Sequence, residues 1–154
     1  MEAFRGNHPA KVEDGGRLKL PGPFKKIVDD AQVTQFYITS MDGLSAQIWP
    51  LPEWEKQEAL LAELSATDDA AEKYLDQTSY YGQQVEMDKQ ARVQLPQILR
   101  GTASLDAEVA VRGKLNHLEV HNLKNLEESL KVNALTPENR RTLAPILKPR
   151  NVQG

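Results

Sequence analysis

Val85-Glu-Met-Asp-Lys-Gln-Ala-Arg-Val-Gln-Leu-Pro-Gln-Ile-Leu-Arg100 decides the fold, because the chain carries this pattern twice. Set beside Val12-Glu-Asp-Gly-Gly-Arg-Leu-Lys-Leu-Pro-Gly-Pro-Phe-Lys25, it aligns at one fixed offset. An acidic residue (Glu13, Asp88) is followed four positions on by an arginine (Arg17, Arg92). Then come an alternating apolar pair (Leu18 and Leu20, Val93 and Leu95), a proline (Pro21, Pro96), and an apolar residue next to a cation (Phe24-Lys25, Leu99-Arg100). Subtracting 17 from 92, 21 from 96 and 24 from 99 gives 75 each time, so one unit occurs twice.

Each copy predicts the same local object. The acidic residue and its neighbours form a polar turn, the next four residues alternate as a short strand does, and the proline suits the first position of a helix, where a missing N–H costs nothing. The two arginines stand just after the turns, at the start of the returning strand, where side chains reach outward.

Working outward, Phe4 to Val12 reads as a first strand, with Pro9 restricting part of it to an edge or bend. A short helix follows from Pro21, weakened by Gly22 and Pro23. Val33 to Thr39 and Ser45 to Trp49, joined by the turn signal Met41-Asp-Gly-Leu, make a second hairpin. The period then changes to about 3.6, with Pro52 at a helix start and Trp54, Leu60, Leu61 and Leu64 as an apolar stripe. Thr67 is expected to cap a further helix, with Asp68 and Asp69 in its first turn and Tyr74, Leu75 and Thr78 on one side. The second copy repeats the programme: strands at Tyr81 to Met87 and Arg92 to Leu95, a helix from Pro96, a hairpin at Glu108 to Arg112 and Leu118 to His121, and a helix capped by Asn122 carrying Leu123, Leu126 and Leu130. Trp54 and Leu126 lie 72 apart rather than 75, so three residues are lost on the way. Thr136-Pro-Glu-Asn can open a last short helix; Pro145 and Pro149 break regular structure, and Lys148 to Gly154 reads as a frayed tail.

With 27% charged and 40% hydrophobic residues among 154, the composition is that of a soluble globular chain with one domain or two small repeats sharing a core. It has no cysteine, hence no disulfide framework and no thiolate zinc site, which fits a reducing cytoplasm. No apolar run approaches the roughly 18 residues that span a bilayer, and the N-terminus lacks an apolar signal core. A net charge of −3 gives no global basic field, so any nucleic-acid contact must come from a local cluster.

Phe4-Arg5-Gly6, the two acid-to-arginine turns leading into apolar-x-apolar-Pro, and Trp49-Pro-Leu-Pro-Glu-Trp-Glu together resemble the MraZ family of bacterial transcriptional regulators, built from two AbrB-type swapped-hairpin units. The resemblance covers residues 4 to about 130, with three blocks in order and at the right distances. It implies an α+β fold in which two tandem AbrB-like hairpin repeats interlace into a β-barrel core with helices after each. The segments are 4–66 and 81–132 for the repeats with their helices, 67–80 for a linking helix, and 133–154 for a partly disordered extension. It also implies a ring-shaped homo-oligomer that binds direct repeats of double-stranded DNA upstream of its own operon, the division and cell-wall gene cluster, as a repressor in the cytoplasm at the nucleoid. Arg17 and Arg92 would be the principal DNA contacts, with Glu13 and Asp88 orienting them.

The residues themselves allow that chemistry. An arginine at a hairpin mouth can present its planar fork to O6 and N7 of guanine, with a carboxylate fixing the fork's orientation. Lys11, Lys19 and Lys89 are near enough in sequence to hold phosphates. Where the family usually shows Asp-x-Lys-Gly-Arg, this chain has Glu13 and Gly15 in the first turn and Ala91 in the second. If position 91 is left-handed, alanine there costs about 1 kcal/mol or more.

The plainer readings differ from site to site. A single acid–arginine pair at a turn is ordinarily a solvated surface pair; two copies in register argue for shared use. Trp49 and Trp54 read as core or interface anchors. His117 and His121 share a strand face without an adjacent third ligand, so no metal site is expected, and Asp68-Asp69 is a helix-start charge pair. There is no phosphate loop, His-Glu-x-x-His or nucleophile elbow, so neither an enzyme nor a cofactor nor a small-molecule substrate is expected. The competing class is an AbrB-like interaction module, antitoxin-like or a scaffold, that does not read DNA.

Overall fold

The second copy of the unit repeats the first strand for strand, yet most hydrogen-bond ladders run between the copies. The computed structural model describes residues 1–64 and 67–149, so all but Lys148 and Pro149 of the tail expected over Lys148 to Gly154 lies outside the described residues. The chain divides into two compact units, 1–123 and 124–154. The first contains, in order, β1 (Asn7–Glu13), β2 (Arg17–Lys19), α1 (Gly22–Asp30), β3 (Gln35–Thr39), β4 (Ala46–Pro50), α2 (Leu51–Leu64), α3 (Asp69–Tyr80), β5 (Gln83–Glu86), β6 (Arg92–Gln94), α4 (Gln97–Thr102), β7 (Glu108–Gly113) and β8 (Leu118–Asn122).

The strands form one sheet in the order β5-β3-β4-β8-β7-β1-β2-β6, a nearly closed antiparallel barrel. Within each copy β3 pairs with β4 and β7 with β8. Between copies β1 pairs with β7, β5 with β3, β2 with β6 and β4 with β8. The α+β, interlaced-repeat architecture expected from the sequence is therefore the one observed. The interlacing also changes the expected strand-turn-strand units: β1 and β2 pair with each other at only two positions, Val12 with Leu18 and Glu13 with Arg17. Pro9 falls where β1 is laddered to β7 alone, so its missing N–H faces no second strand.

The register of β2 on β6 reveals a local two-fold axis. Arg17 faces Gln94, Leu18 faces Val93 and Lys19 faces Arg92. With counterparts 75 positions apart, a two-fold axis through Leu18 and Val93 generates those three pairs. Gly16 O accepts from Leu95 N and Ala91 O from Leu20 N, both at 2.9 Å, extending the ladder symmetrically at each end. Further along, Ile38 and Val111 take equivalent places 73 apart, and Ile48 and Val120 take theirs 72 apart. Two of the three lost residues thus vanish between α4 and β7 and the third in the hairpin loop.

Inward-facing Leu18, Phe36, Ile38, Ile48, Val93, Val111 and Val120 are fully buried, and Phe24 and Val28 of α1 with Leu99 of α4 join the same core. Gly113 sits where a Cβ would strike the backbone of Phe4 and Arg5, a close approach that holds the isolated Phe4–Leu115 bridge.

Local details depart from expectation. Pro21 and Pro96 stand at the N-caps of α1 and α4, one residue before the helix, with extended ψ of 142° and 134°; their carbonyls still accept the first helical bonds. Asp68, not Thr67, caps α3, its Oδ1 accepting from Ala71 N at 3.0 Å; a carboxylate is the better acceptor at a helix's positive end. Of the apolar stripe on α2 only Trp54 is buried, stacked on Tyr37 at 4.6 Å and on Tyr74 of α3 at 6.4 Å, while Leu60 and Leu64 are exposed. Trp49 is buried as well, edge-on to Trp54.

The last helices are α5 (Leu123–Val132), which begins at the unit boundary, and α6 (Pro137–Leu147). Asn122, expected as a cap, ends β8 and stands directly before α5, and its side-chain amide donates to Ser104 O at 3.1 Å. Thr136 caps α6 in a reciprocal pair with Asn139, at 3.0 and 3.1 Å. The helix continues through Pro145, which lies in its last turn and lacks the N–H that would bond back to Arg141.

Candidate nucleic-acid interface

Because Leu18 and Val93 point into the core, their neighbours on β2 and β6 must point out. The cross-copy ladder therefore sets Arg17, Lys19, Arg92 and Gln94 on one outer face, with Lys19 directly opposite Arg92. Glu13 on β1 lies opposite Arg17, and Lys11, two residues back and exposed, follows the same alternation around buried Val12. Asp88 opens the second turn and exposed Lys89 follows it. The two arginines, 75 positions apart in sequence, thus occupy adjacent strands.

The second turn is closed on itself. Asp88 Oδ1 accepts from the backbone N of Gln90 at 2.8 Å and of Arg92 at 2.9 Å, while Oδ2 accepts from Arg92 Nε at 2.9 Å. The Arg92 amide is the foremost reason the Asp88 carboxyl titrates below the usual carboxylate range; desolvation opposes it, and the Arg92 side chain and Gln90 amide reinforce it. Arg92 extends Nη1 to Glu13 Oε2 at 3.1 Å, and its pKa is raised by the hydrogen bonds it donates to Asp88 and then to Glu13. Two of its five N–H donors are engaged and the guanidinium is held in one orientation. Ala91 has φ 62°, so the left-handed conformation considered for it is present.

The first turn is open. Glu13, expected to orient Arg17, gives its carboxylate to Arg92 of the other copy, because interlacing brings the second turn against β1. Among the described residues no hydrogen bond or ion pair engages the exposed Arg17 guanidinium. Gly15 and Gly16 both have φ 86°, and Gly16 N closes the turn on Glu13 O at 2.9 Å. Gln94 Nε2 donates to Gly15 O. Arg100, which the sequence marks only as the cation repeating Lys25, packs its guanidinium against Gly16. The repeat itself was the available signal, but only interlacing tells which turn Arg100 reaches.

Glu119 and His121 share one face of β8, and His117 stands immediately before that strand. Glu119 Oε1 accepts from His121 Nε2 at 3.0 Å and from Arg112 Nη2 at 3.2 Å; His117 Nε2 stands 3.6 Å from Oε2, an ion-pair distance beyond hydrogen bonding. Burial alone would raise the Glu119 pKa, but the imidazoles of His117 and His121 outweigh it and hold the carboxyl well below its usual range. His117 also stacks on Trp49 at 4.2 Å. With Arg112 already on the carboxylate this is a structural network, and among the described residues no three such side chains are placed to hold a metal ion.

Fold and face together define a class: a duplicated AbrB-like swapped-hairpin barrel with cations on its cross-copy strand pair. A family model described as "MraZ protein, putative antitoxin-like" matches residues 82–143. The chain is 48% identical over 141 residues to the transcriptional regulator MraZ of Acidobacterium capsulatum, covering 92% of this chain and 97% of that protein. It is 43% identical to that of Koribacter versatilis, covering 93% and 98%, and 30% identical to that of Deinococcus radiodurans, covering 81% and 85%. The chain belongs to the MraZ family of transcriptional regulators.

Proposed function

We propose that this chain reads double-stranded DNA with the β2/β6 face, as a repressor of its own operon in the division and cell-wall gene cluster. The observation that carries the reading is the placement of Arg17 and Arg92 on adjacent strands of one outer face by a ladder that joins the two copies. A guanidinium oriented by two carboxylates, as Arg92 is, suits base recognition in the major groove. Lys11, Lys19 and Lys89 hold phosphates around it.

One such face binds weakly, because the net charge of −3 supplies no long-range attraction. A ring-shaped homo-oligomer that sets several faces on successive direct repeats raises the effective concentration of each and makes binding tight and salt-sensitive. Promoter occupancy then blocks RNA polymerase, and the protein works in the cytoplasm at the nucleoid. No helix among the described residues is long and apolar enough to cross a membrane.

The test is binding of the purified protein to DNA upstream of its own gene at two salt concentrations, beside Arg17→Ala and Arg92→Ala. Salt-dependent binding that either variant loses at unchanged oligomeric size supports the reading. Wild type that ignores this DNA, or variants that bind as well as it does, would sink it in favour of a protein-interaction module.

A further inference from the structure

Arg100, the last cation of the repeated pattern, differs from every other charged residue near the two turns. Its side chain is half-buried, and its Nε is enclosed without a hydrogen-bond partner. Arg112 also has an enclosed Nε but gives Nη2 to Glu119, whereas no acceptor engages Arg100 among the described residues. Its Cδ, Nε and Cζ occupy the space a Cβ at Gly16 would need, at 2.4, 2.5 and 2.7 Å from that position. Glycine at 16 is thus required twice, by φ 86° and by the arginine lying on it.

The counterpart arrangement is absent from the second turn. Ala91 stands where the first copy has Gly16, and Lys25 stands where the second has Arg100. Lys25 pairs with Asp29 one turn along its own helix. The second turn holds its cation, Arg92, between its own Asp88 and Glu13 of the first copy; at the first turn Arg17 follows Gly16, over which the Arg100 side chain lies, and among the described residues no acid engages either arginine.

We propose that Arg100 is a further DNA contact which, with Arg17, binds a backbone phosphate at the first turn. This rests on the DNA-binding reading above. A phosphodiester suits the site because its two free oxygens accept from planar guanidinium forks, and because a backbone contact requires none of the fixed orientation that base reading demands. Arg100 therefore sets affinity and salt dependence, and leaves sequence preference to Arg92.

The experiment measures binding to the upstream DNA and to an unrelated duplex across a salt series for wild type, Arg100→Gln, Arg100→Lys, Lys25→Gln and Arg17→Ala. Thermal unfolding and oligomeric size are checked for each. Arg100→Gln is expected to weaken binding to both duplexes by the same factor and to lower the salt slope by about 0.9 per engaged subunit. Arg100→Lys should keep the slope, and Lys25→Gln should change nothing. If Arg100→Gln binds with wild-type affinity and slope while Arg17→Ala does not, Arg100 is no contact, though the DNA reading survives. If Gln and Lys at 100 weaken binding equally with unchanged slope, the residue only supports the turn and the proposal fails. Wild type that binds neither duplex overturns both readings.

Discussion

The two turns at the heart of this molecule are copies in sequence and opposites in chemistry. In the second, Asp88 and Glu13 hold Arg92 by Nε and Nη1, and the turn is electrically almost satisfied. In the first, Arg17 has lost its acid to the other copy, and two glycines leave room for Arg100 to lie on the backbone. Duplication followed by interlacing does this: a carboxylate from one copy is spent on the arginine of the other, so equal sequences need not yield equal sites. A fixed guanidinium is suited to reading and an unfixed pair to gripping.

The strongest way to break the comparison is to break the axis both turns share. Leu18→Ala removes a fully buried side chain facing Val93 and should cost about 3 kcal/mol in denaturant unfolding. If both turns depend on that contact, their DNA contributions should fall together. Next come the arginines. Arg92→Ala should weaken binding to the upstream DNA by roughly 100-fold and erase preference over unrelated duplex. Arg17→Ala should weaken it by about tenfold on any duplex, since an unrestrained arginine pays more ordering entropy. Competitive fluorescence anisotropy separates the two, and equal losses of preference would dissolve the distinction.

Smaller effects sharpen it. Gly16→Ala places a side chain at φ 86° and against Arg100, so it should destabilise by about 1–2 kcal/mol. Ala91→Gly relieves φ 62° and should gain less than ~1 kcal/mol, because a buried methyl and backbone entropy offset the relief. Both signs would mean that glycine is preferred at this position in each copy; a loss at Gly16 larger than the gain at Ala91, read by thermal melts, would measure the Arg100 packing that the first turn adds. Last is pH. The Asp88 pKa is depressed on folding, so its stabilisation is present above the unfolded-state value and lost as pH falls through the lower folded-state value. Wild type should therefore exceed Asp88→Asn in stability at neutral pH, and the gap should close below about pH 4. A gap that persists in acid would show that charge on Asp88 is not what holds the turn.

Much of this was legible in the sequence for identifiable reasons. The offset of 75 announced the duplication, alternation of Leu18 with Leu20 and of Val93 with Leu95 gave the strands and their buried faces, and Asp42-Gly43 marked the hairpin turn. Helix details were less legible. Thr67 and Asp68 both suit a cap, and only backbone geometry selects between them. Leu60 and Leu64 have the spacing of a buried stripe, but Trp54 alone reaches the sheet. Pro145 reads as a breaker yet is carried within α6, where it forfeits its own backward N–H bond and the helix ends two residues later at Leu147.

The sequence by itself determined that a hairpin unit occurs twice, that each copy carries an acid and an arginine four apart, and that the chain resembles MraZ. Local pattern is sufficient there, because alternation and turn chemistry act over a few neighbouring residues. Only the tertiary structure decided that Glu13 serves Arg92 instead of Arg17, that Arg100 lies on Gly16, and that the arginines stand on adjacent strands. Those pairings join residues 75 or more positions apart through interlaced ladders, and spacing along a chain carries no record of which copy a strand will pair with.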